Sequence, residues 1–301
     1  MRRLDHRYWR QGDVEDVPRG QEAYLASLQA RHPRDAAGLA SLFAEIRTVM
    51  TGMYATGEGR MGIPGTPQTV EAMLAFAKAH PFTIAWMDRP WSAFLARHLR
   101  DPATIAAISA LSGYITDKPE ALTVAQMVPL FGYAFHGGYY PVGGSGRLAD
   151  VLVEAIRERG GEVHLNQPVR RILADGGRAR GIEAGGALLP ASAVVLNADP
   201  IMAARHLLPP GALDPGVTAA KPSCSAFGVN LGLRGALDLP PIMHAQTSFG
   251  GLHMVVPTAV DESAAPPGYA TLELLMLVPN LDAAGWLPPK HDDPKAIDAW
   301  R

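Results

Sequence analysis

The fold of this chain is decided by residues 139–200, which read YYPVGGSGRLADVLVEAIRERGGEVHLNQPVRRILADGGRARGIEAGGALLPASAVVLNADP. A glycine-rich loop at residues 137–146 leads into a segment whose apolar residues recur three and four apart, and this spacing predicts an amphipathic helix. The apolar positions are Leu148, Val151, Leu152, Ala155 and Ile156. Gly160 and Gly161 are expected to end the helix.

Short apolar runs follow this helix. We predict strands at 162–165 and 169–173, a hairpin formed by 180–183 and 187–189 around Gly185-Gly186, and a buried strand at 193–196. Asn197-Ala198-Asp199-Pro200 ends the last of them. A helix, a strand, a hairpin and a strand in this order are typical of an α/β nucleotide-binding domain.

The flanking regions have a different character. Residues 4–9 and 12–14 are extended in pattern, and residues from about 20 to 135 are predicted to be helical, with caps at Thr66-Pro67 and Asp101-Pro102. One helix presents the apolar face Leu39, Leu42, Phe43, Ile46, Val49, Met50 and Met53. Strands are predicted again at 226–233, 251–256 and 272–278, so we divide the chain into segments 1–135, 136–208 and 209–301.

Composition excludes several classes of function. The 301 residues are 48% hydrophobic and carry a formal net charge of −2, which gives no electrostatic footprint for nucleic acid. A single cysteine, Cys224, excludes a disulfide framework and a multi-thiolate zinc site and is consistent with a reducing compartment. The histidines lack the spacing of metal ligands, so no metal is expected, and His136 and His164 are interpreted as structural.

Two motifs match known patterns by their letters alone. Gly57 to Gly62 fits G-x-G-x-x-G, but a dinucleotide site needs a strand before the first glycine and a helix after it, and here a helix and a turn occupy those places. Ser145 resembles a hydrolase nucleophile, but Arg147 stands where that motif requires glycine. Neither motif is assigned a function.

The loop at 137–146 has two interpretations. Gly143 and Gly144 supply positive φ angles in a tight connection, or they let the main chain approach a planar cofactor closely. The residues of the loop alone do not separate the two.

The order of elements across 139–200 resembles the flavin-dependent group of phytoene desaturases, carotenoid isomerases and retinol saturases, within the amine-oxidase-like flavoproteins. The matching residues are Tyr140-Pro141, Gly143-Gly144, Leu148, Leu152, Gly160 to Val163, Asn166, Val169, Ile172, Gly181 and Val194 to Pro200. The resemblance is weaker outside this segment.

The resemblance implies an α/β fold, α+β overall, in which a partial Rossmann-like FAD-binding layer at 136–208 is interleaved with a substrate domain. The substrate domain would comprise the helical part at 1–135 and the sheet at 209–301. The implied cofactor is FAD, held by main-chain groups of Val169 at the adenine, of Asn197 and Ala198 beside the dinucleotide, and of Gly143 and Gly144 near the flavin. No catalytic side chain is identified.

The implied reaction moves hydride equivalents to or from a long apolar polyene or retinoid-like substrate, as a desaturase, a saturase or an isomerase. The channel for it would draw on Met50, Met53, Met61, Met73 and Phe76, unless these are ordinary core residues. A cytoplasmic location with peripheral membrane contact accords with such a substrate, and the oligomeric state stays open.

This sequence departs from the family pattern because the opening strand with its G-x-G-x-x-G and the closing glycine-rich segment are not matched. We therefore expect an internal part of a longer protein, which by itself binds FAD weakly or not at all. The alternatives are a non-catalytic fragment that binds an apolar ligand, and an amine-oxidase-like flavoprotein that acts on an amine.

Overall fold

A computed structural model describes residues 2–4, 6–10, 13–18, 20–55, 67–116, 119–209, 211–213, 215–220, 224–247 and 250–278. Gly57 to Gly62, with Met61, and Thr66 lie outside the described residues. The chain divides into two compact units, of which unit 1 is Met1–Arg147 with Cys224–Arg301 and unit 2 is Leu148–Ser223. The assignment of the segments 1–135, 136–208 and 209–301 to a substrate and a flavin domain stays a prediction.

The helices in the described part of the chain are α1 (Gln21–Arg31), α2 (Ala36–Ala55), α3 (Val70–Ala79), α4 (Pro81–Trp86), α5 (Trp91–Leu95), α6 (Pro102–Ser109), α7 (Val124–Met127), α8 (Gly132–His136), α9 (Gly146–Glu158), α10 (Pro200–His206) and α11 (Pro215–Thr218). A 3-10 helix, Ala110–Tyr114, follows α6.

The strands described are β1 (Arg2–Leu4), β2 (His6–Arg10), β3 (Asp13–Val17), β4 (Gly138–Tyr140), β5 (Val169–Asp175), β6 (Arg178–Ala184), β7 (Ala187–Pro190), β8 (Ser225–Arg234), β9 (Ile242–Thr247), β10 (Gly250–Val255) and β11 (Tyr269–Val278). They form a β1-β4 pair, a six-stranded sheet in the order β3-β2-β9-β10-β11-β8, and a three-stranded sheet in the order β5-β6-β7.

The helical part of unit 1 is built around α2. The predicted apolar face is confirmed, because Leu39, Leu42, Phe43, Ile46, Val49 and Met50 are buried in one hydrophobic cluster. Met53 packs against the same cluster, so Met50 and Met53 are core residues and do not line a channel. Each such large apolar side chain stabilises the fold by about 1.5–3 kcal/mol when fully buried.

The helix caps follow the prediction at one of two sites. Asp101 caps α6 as expected, through a bond from the main-chain N–H of Ala103. At α3 the predicted cap was wrong: Thr69 caps the helix by accepting the N–H of Ala72 at 3.1 Å. Thr69 directly precedes the first helical residue, Val70, which is the position from which a side-chain oxygen reaches the free N–H groups.

The six-stranded sheet of unit 1 joins distant parts of the chain. β2 lies parallel to β9, with His6 opposite Ile242 and Trp9 opposite Ala245. The other strand pairs of this sheet are antiparallel. The strands predicted at 226–233, 251–256 and 272–278 are confirmed as β8, β10 and β11. β9 was not predicted.

In unit 2, α9, β5 and the hairpin of β6 and β7 around Gly185-Gly186 are confirmed. The strands predicted at 162–165 and 193–196 are wrong, because both segments are irregular and Val195 is 94% exposed. An apolar run becomes a strand only when a neighbour pairs with its main chain, and no described strand pairs with either segment. The α/β fold class holds, with an antiparallel sheet in this unit.

Asp35 connects two helical elements of unit 1. Its buried carboxylate accepts the main-chain N–H groups of Arg100 at 3.1 Å and of Asp101 at 2.9 Å, just before α6. Burial alone would raise the pKa of Asp35, but these bonds and one from Thr104 outweigh it and hold the pKa below its usual value.

We predict that Asp35→Ala lowers the free energy of unfolding by about 2–4 kcal/mol, because hydrogen bonds to a charged group contribute about 1.5–3 kcal/mol each. The measurement is denaturant unfolding followed by circular dichroism. Asp88→Ala, which removes an exposed carboxylate, is the control and should change stability little. Equal effects of the two substitutions would contradict the role given to Asp35.

Candidate functional site

The residues predicted to hold the cofactor lie in both units. Gly143 and Gly144 belong to unit 1, whereas Val169, Asn197 and Ala198 belong to unit 2. Each group is therefore described within its own unit.

The glycine loop of unit 1 is a tight turn between β4 and α9. Gly143 and Gly144 have φ angles of 89° and 83°, which favour glycine. The N–H of Gly144 donates to the carbonyl oxygen of Pro141 at 3.1 Å, and the N–H of Arg147 donates to that of Gly144 at 3.1 Å. Because these hydrogen bonds close a tight turn that requires positive φ angles, the turn alone accounts for the two glycines.

The amide of Gly143 is bound by a side chain. It donates to Oδ2 of Asp261 at 2.6 Å, and the other oxygen of this buried carboxylate accepts the hydroxyl of Ser263 at 2.7 Å. A Cβ built on Gly143 would meet only the Cβ of Arg147, at 3.8 Å, so the side of the residue that lacks a side chain is open. A planar ring can therefore approach this Cα closely. The N–H of Gly143 is not available to donate to such a ring, because it already donates to Asp261.

Val169 begins the edge strand of the sheet in unit 2. It lies opposite Ala184 of β6, and its side chain is partly exposed. Because β5 is an edge strand, part of its main chain points away from β6, and the N–H of Ile172 uses this edge to donate to the carbonyl of Leu207 at 2.7 Å. An edge of this kind suits a planar base with donors and acceptors on its rim.

Asn197 and Ala198 lie in the irregular segment before α10. Both are exposed, and the next residue, Asp199, caps α10 by accepting the N–H of Met202 at 2.7 Å. The helix leads directly to Leu207, so this segment is linked to the edge of β5 by the bond from Ile172.

A cavity of about 610 Å³ runs along β5 within unit 2. Arg170, Arg171, Arg180 and His206 contribute to its lining. Arg171 pairs with Glu183 and Arg180 with Asp175, each at 3.2 Å, and no ion pair of Arg170 is found in the described part of the chain. The residue after Val169 thus offers a positive charge to a ligand, and this arrangement fits a nucleotide.

No group of three or more His, Cys, Asp or Glu side chains that could hold a metal ion is found among the residues that the structure describes.

Comparison with known proteins identifies the family. Residues 4–231 match the model of the flavin containing amine oxidoreductases. The chain belongs to this family. The family resemblance predicted from the sequence and the predicted α/β fold are confirmed. FAD is confirmed as the cofactor of the family.

Two relatives and one solved structure show the extent of the similarity. A 4,4'-diapophytoene desaturase (4,4'-diapolycopene-forming) of Methylomonas sp is 29% identical over 225 residues, which cover 66% of this chain and 44% of that protein. An all-trans-zeta-carotene desaturase of Myxococcus xanthus is 29% identical over 222 residues, covering 64% and 42%. An oxidoreductase from Methanosarcina mazei shares the fold, with a TM-score of 0.55 at 21% identity over 72% of this chain and 54% of its own. The chain thus spans less than half the length of these curated relatives.

Sequence reasoning missed a cluster in unit 1. His244 of β9 and His253 of β10 are paired across the strands, with Nδ1 atoms 2.8 Å apart, and Nε2 of His244 lies 2.8 Å from the hydroxyl of Tyr114. The sequence did contain one signal for the pairing of the two histidines. His244 lies three residues before Thr247 and His253 three residues after Gly250, so a hairpin between these strands places the histidines opposite each other.

Burial lowers the pKa of His253, so its imidazole is neutral near pH 7. A histidine whose pKa is lower in the folded state binds fewer protons there than in the unfolded state. The protein should therefore lose stability as the pH falls below about 6.5, the ordinary value for histidine, and keep it above that pH.

We predict that His253→Gln weakens this loss of stability between pH 7.5 and pH ~5.5, since it removes the group that the unfolded state protonates. Thermal unfolding across this range is the measurement. His136→Gln changes an exposed histidine of unit 1 and should leave the pH dependence as it is. An unchanged slope in His253→Gln would contradict the prediction.

Proposed function

We propose that the protein containing this chain is an FAD-dependent oxidoreductase that moves hydride equivalents to or from a long conjugated apolar molecule, in the manner of the carotenoid and retinoid desaturases, saturases and isomerases. The family match over residues 4–231 carries this proposal. The two relatives described above, from Methylomonas sp and Myxococcus xanthus, are named as desaturases of apolar polyenes, which supports the substrate class. FAD, when bound, supplies the redox chemistry, and the chain supplies binding, orientation and exclusion of water.

In unit 2, the start of β5 would hold the adenine. The main-chain amide and carbonyl of Val169 are the proposed contacts, and Asn197 and Ala198 would lie beside the dinucleotide. The edge position of β5 and the charge of Arg170 in the adjoining cavity support this assignment. Main-chain contacts of this kind are insensitive to side-chain identity.

In unit 1, the role proposed for Gly143 and Gly144 is steric. Their amides are used by Asp261 and by Pro141, so they would not donate to the flavin. The missing side chains would instead allow the ring system to approach the main chain. The buried Asp261 would keep the turn in place, because it ties Gly143 to the segment after β10.

The apolar substrate would be met by exposed apolar side chains in unit 1. In the six-stranded sheet, Leu275 of β11 is 43% exposed. Of the residues first considered for a channel, Met73 is 41% exposed and the side chain of Phe76 is half-buried, so both stay in the proposal, unlike Met50 and Met53.

Peripheral membrane contact and a cytoplasmic location also stay proposals. No helix among the described residues is long and apolar enough to cross a bilayer. α3 exposes Val70, Met73 and Leu74, and an apolar helix face of this kind supports contact with a lipid surface.

We predict that Val169→Pro weakens FAD binding by the protein of full natural length about tenfold or more, because proline removes the main-chain donor and a factor of ten corresponds to ~1.4 kcal/mol. The measurement is titration with FAD, followed by quenching of flavin fluorescence. Val169→Ile keeps the main chain and is the matched control.

Circular dichroism establishes that the proline variant remains folded. If a folded Val169→Pro binds FAD as tightly as Val169→Ile, the adenine contact is wrong. If the unsubstituted protein takes up no flavin but binds an apolar ligand, the alternative of a non-catalytic binding protein replaces the proposal. Reduction of the flavin by an amine would instead favour the amine-oxidase-like alternative.

A further inference from the structure

A row of polar side chains crosses the six-stranded sheet of unit 1. Residues directly opposite each other on paired strands point to the same face. The register therefore aligns Glu15, Tyr8, His244 and His253 on successive strands, with Leu275 next in the row. Two adjacent histidines in a mostly apolar sheet call for a chemical explanation.

The histidines are packed against aromatic rings. The ring of His244 is buried and stacks on Tyr8, with centroids 4.6 Å apart, and it lies perpendicular to the ring of His253. The edge of Tyr114 packs against both imidazoles, at centroid distances of 5.4 and 5.5 Å. With the bonds from Tyr114 to His244 and from His244 to His253, the three residues form a continuous hydrogen-bonded chain.

Two arrangements of protons satisfy this chain without a net charge. In the first, Tyr114 donates to Nε2 of His244, whose Nδ1–H donates to Nδ1 of His253, and Nε2 of His253 carries a hydrogen. In the second, Nδ1–H of His253 donates to Nδ1 of His244, whose Nε2–H donates to the hydroxyl oxygen of Tyr114; the Tyr114 hydroxyl keeps its hydrogen and directs it to another acceptor, and Nε2 of His253 is an acceptor. The outer nitrogen can therefore donate to a carbonyl oxygen or accept from a hydroxyl group.

This outer nitrogen is accessible. In the part of the chain that the structure describes, no hydrogen bond reaches Nε2 of His253, and its side chain is only half-buried. A Cβ built on Gly113 would come within 3.4 Å of Nε2, so the glycine leaves space beside it. Any side chain at position 113 would crowd this space.

An apolar surface of low relief continues the row beyond His253. Leu275 of β11 follows, 43% exposed, and opposite it lies Gly228 of β8, which has no side chain. The next position of β8 on this face in one direction, Ala226, is also small and exposed, whereas the next position in the other direction is Asn230, opposite Glu273. A long apolar molecule can lie across Leu275 and Gly228 with one end at the imidazole.

We propose that His253, positioned by His244 and Tyr114, binds the oxygen atom at one end of an elongated apolar substrate, an aldehyde, a ketone or an alcohol. This inference rests on the proposed function, and it narrows the substrate class from long conjugated apolar molecules in general to those with an oxygen atom at one end. A terminal carboxylate fits less well, because the imidazole is neutral and the row already contains the buried Glu15.

The test compares two probes that differ only at one end: all-trans-retinal, and the hydrocarbon in which a methyl group replaces the aldehyde. The full natural protein is titrated with each probe, and the carbonyl stretching frequency of bound retinal is recorded. We expect retinal to bind about tenfold more tightly than the hydrocarbon, which is the effect of one hydrogen bond of ~1.4 kcal/mol. The carbonyl frequency should fall on binding.

Variants assign the effect to His253. His253→Phe should remove both the preference and the frequency shift and leave the affinity for the hydrocarbon within about twofold, since burial of the apolar part is unchanged. Tyr114→Phe, which removes only the far end of the chain, should reduce the preference partly. His136→Gln is the control and should behave as the unsubstituted protein does.

The outcomes separate this inference from the proposed function. If both probes bind equally, or if His253→Phe keeps the preference and the frequency shift, the inference is overturned and the proposed apolar substrate stands. If neither probe binds, the apolar substrate itself is wrong and the inference falls with it.

Discussion

The parallel pairing of β2 with β9 connects the two parts of the chain that make up unit 1. His6 to Trp9 come from the start of the chain, whereas Ile242 to Ala245 follow the whole of unit 2. Closing so long a segment costs conformational entropy, which burial around the sheet must offset. The same pairing places Tyr8 against His244 and so builds one side of the histidine cluster.

Local patterns predicted what local interactions stabilise. The face of α2, the cap at Asp101 and the hairpin around Gly185-Gly186 all depend on neighbours within a few residues, and all were predicted correctly. The run at 193–196 was apolar enough for a strand but has no paired neighbour, so it is irregular. β9 and its His244 were missed because their partners are set by the long-range register.

The candidate cofactor site shows the same division. Val169 and the glycines were singled out by a family resemblance that extends over many residues, and the family is confirmed. The hydrogen bond that the N–H of Gly143 donates to Asp261 could not be foreseen, since nothing in the sequence connects positions so far apart. Because that bond uses the amide of Gly143, the role proposed for the loop is the close approach of the main chain to a planar cofactor.

The central functional claim is that main-chain groups at the start of β5 hold the adenine of FAD. The most direct test is a crystal structure of the full-length protein with FAD bound. The account predicts adenine nitrogens within hydrogen-bonding distance, about 2.7–3.2 Å, of the amide and carbonyl of Val169. An adenine bound elsewhere, with this edge of β5 covered by another strand, would contradict it.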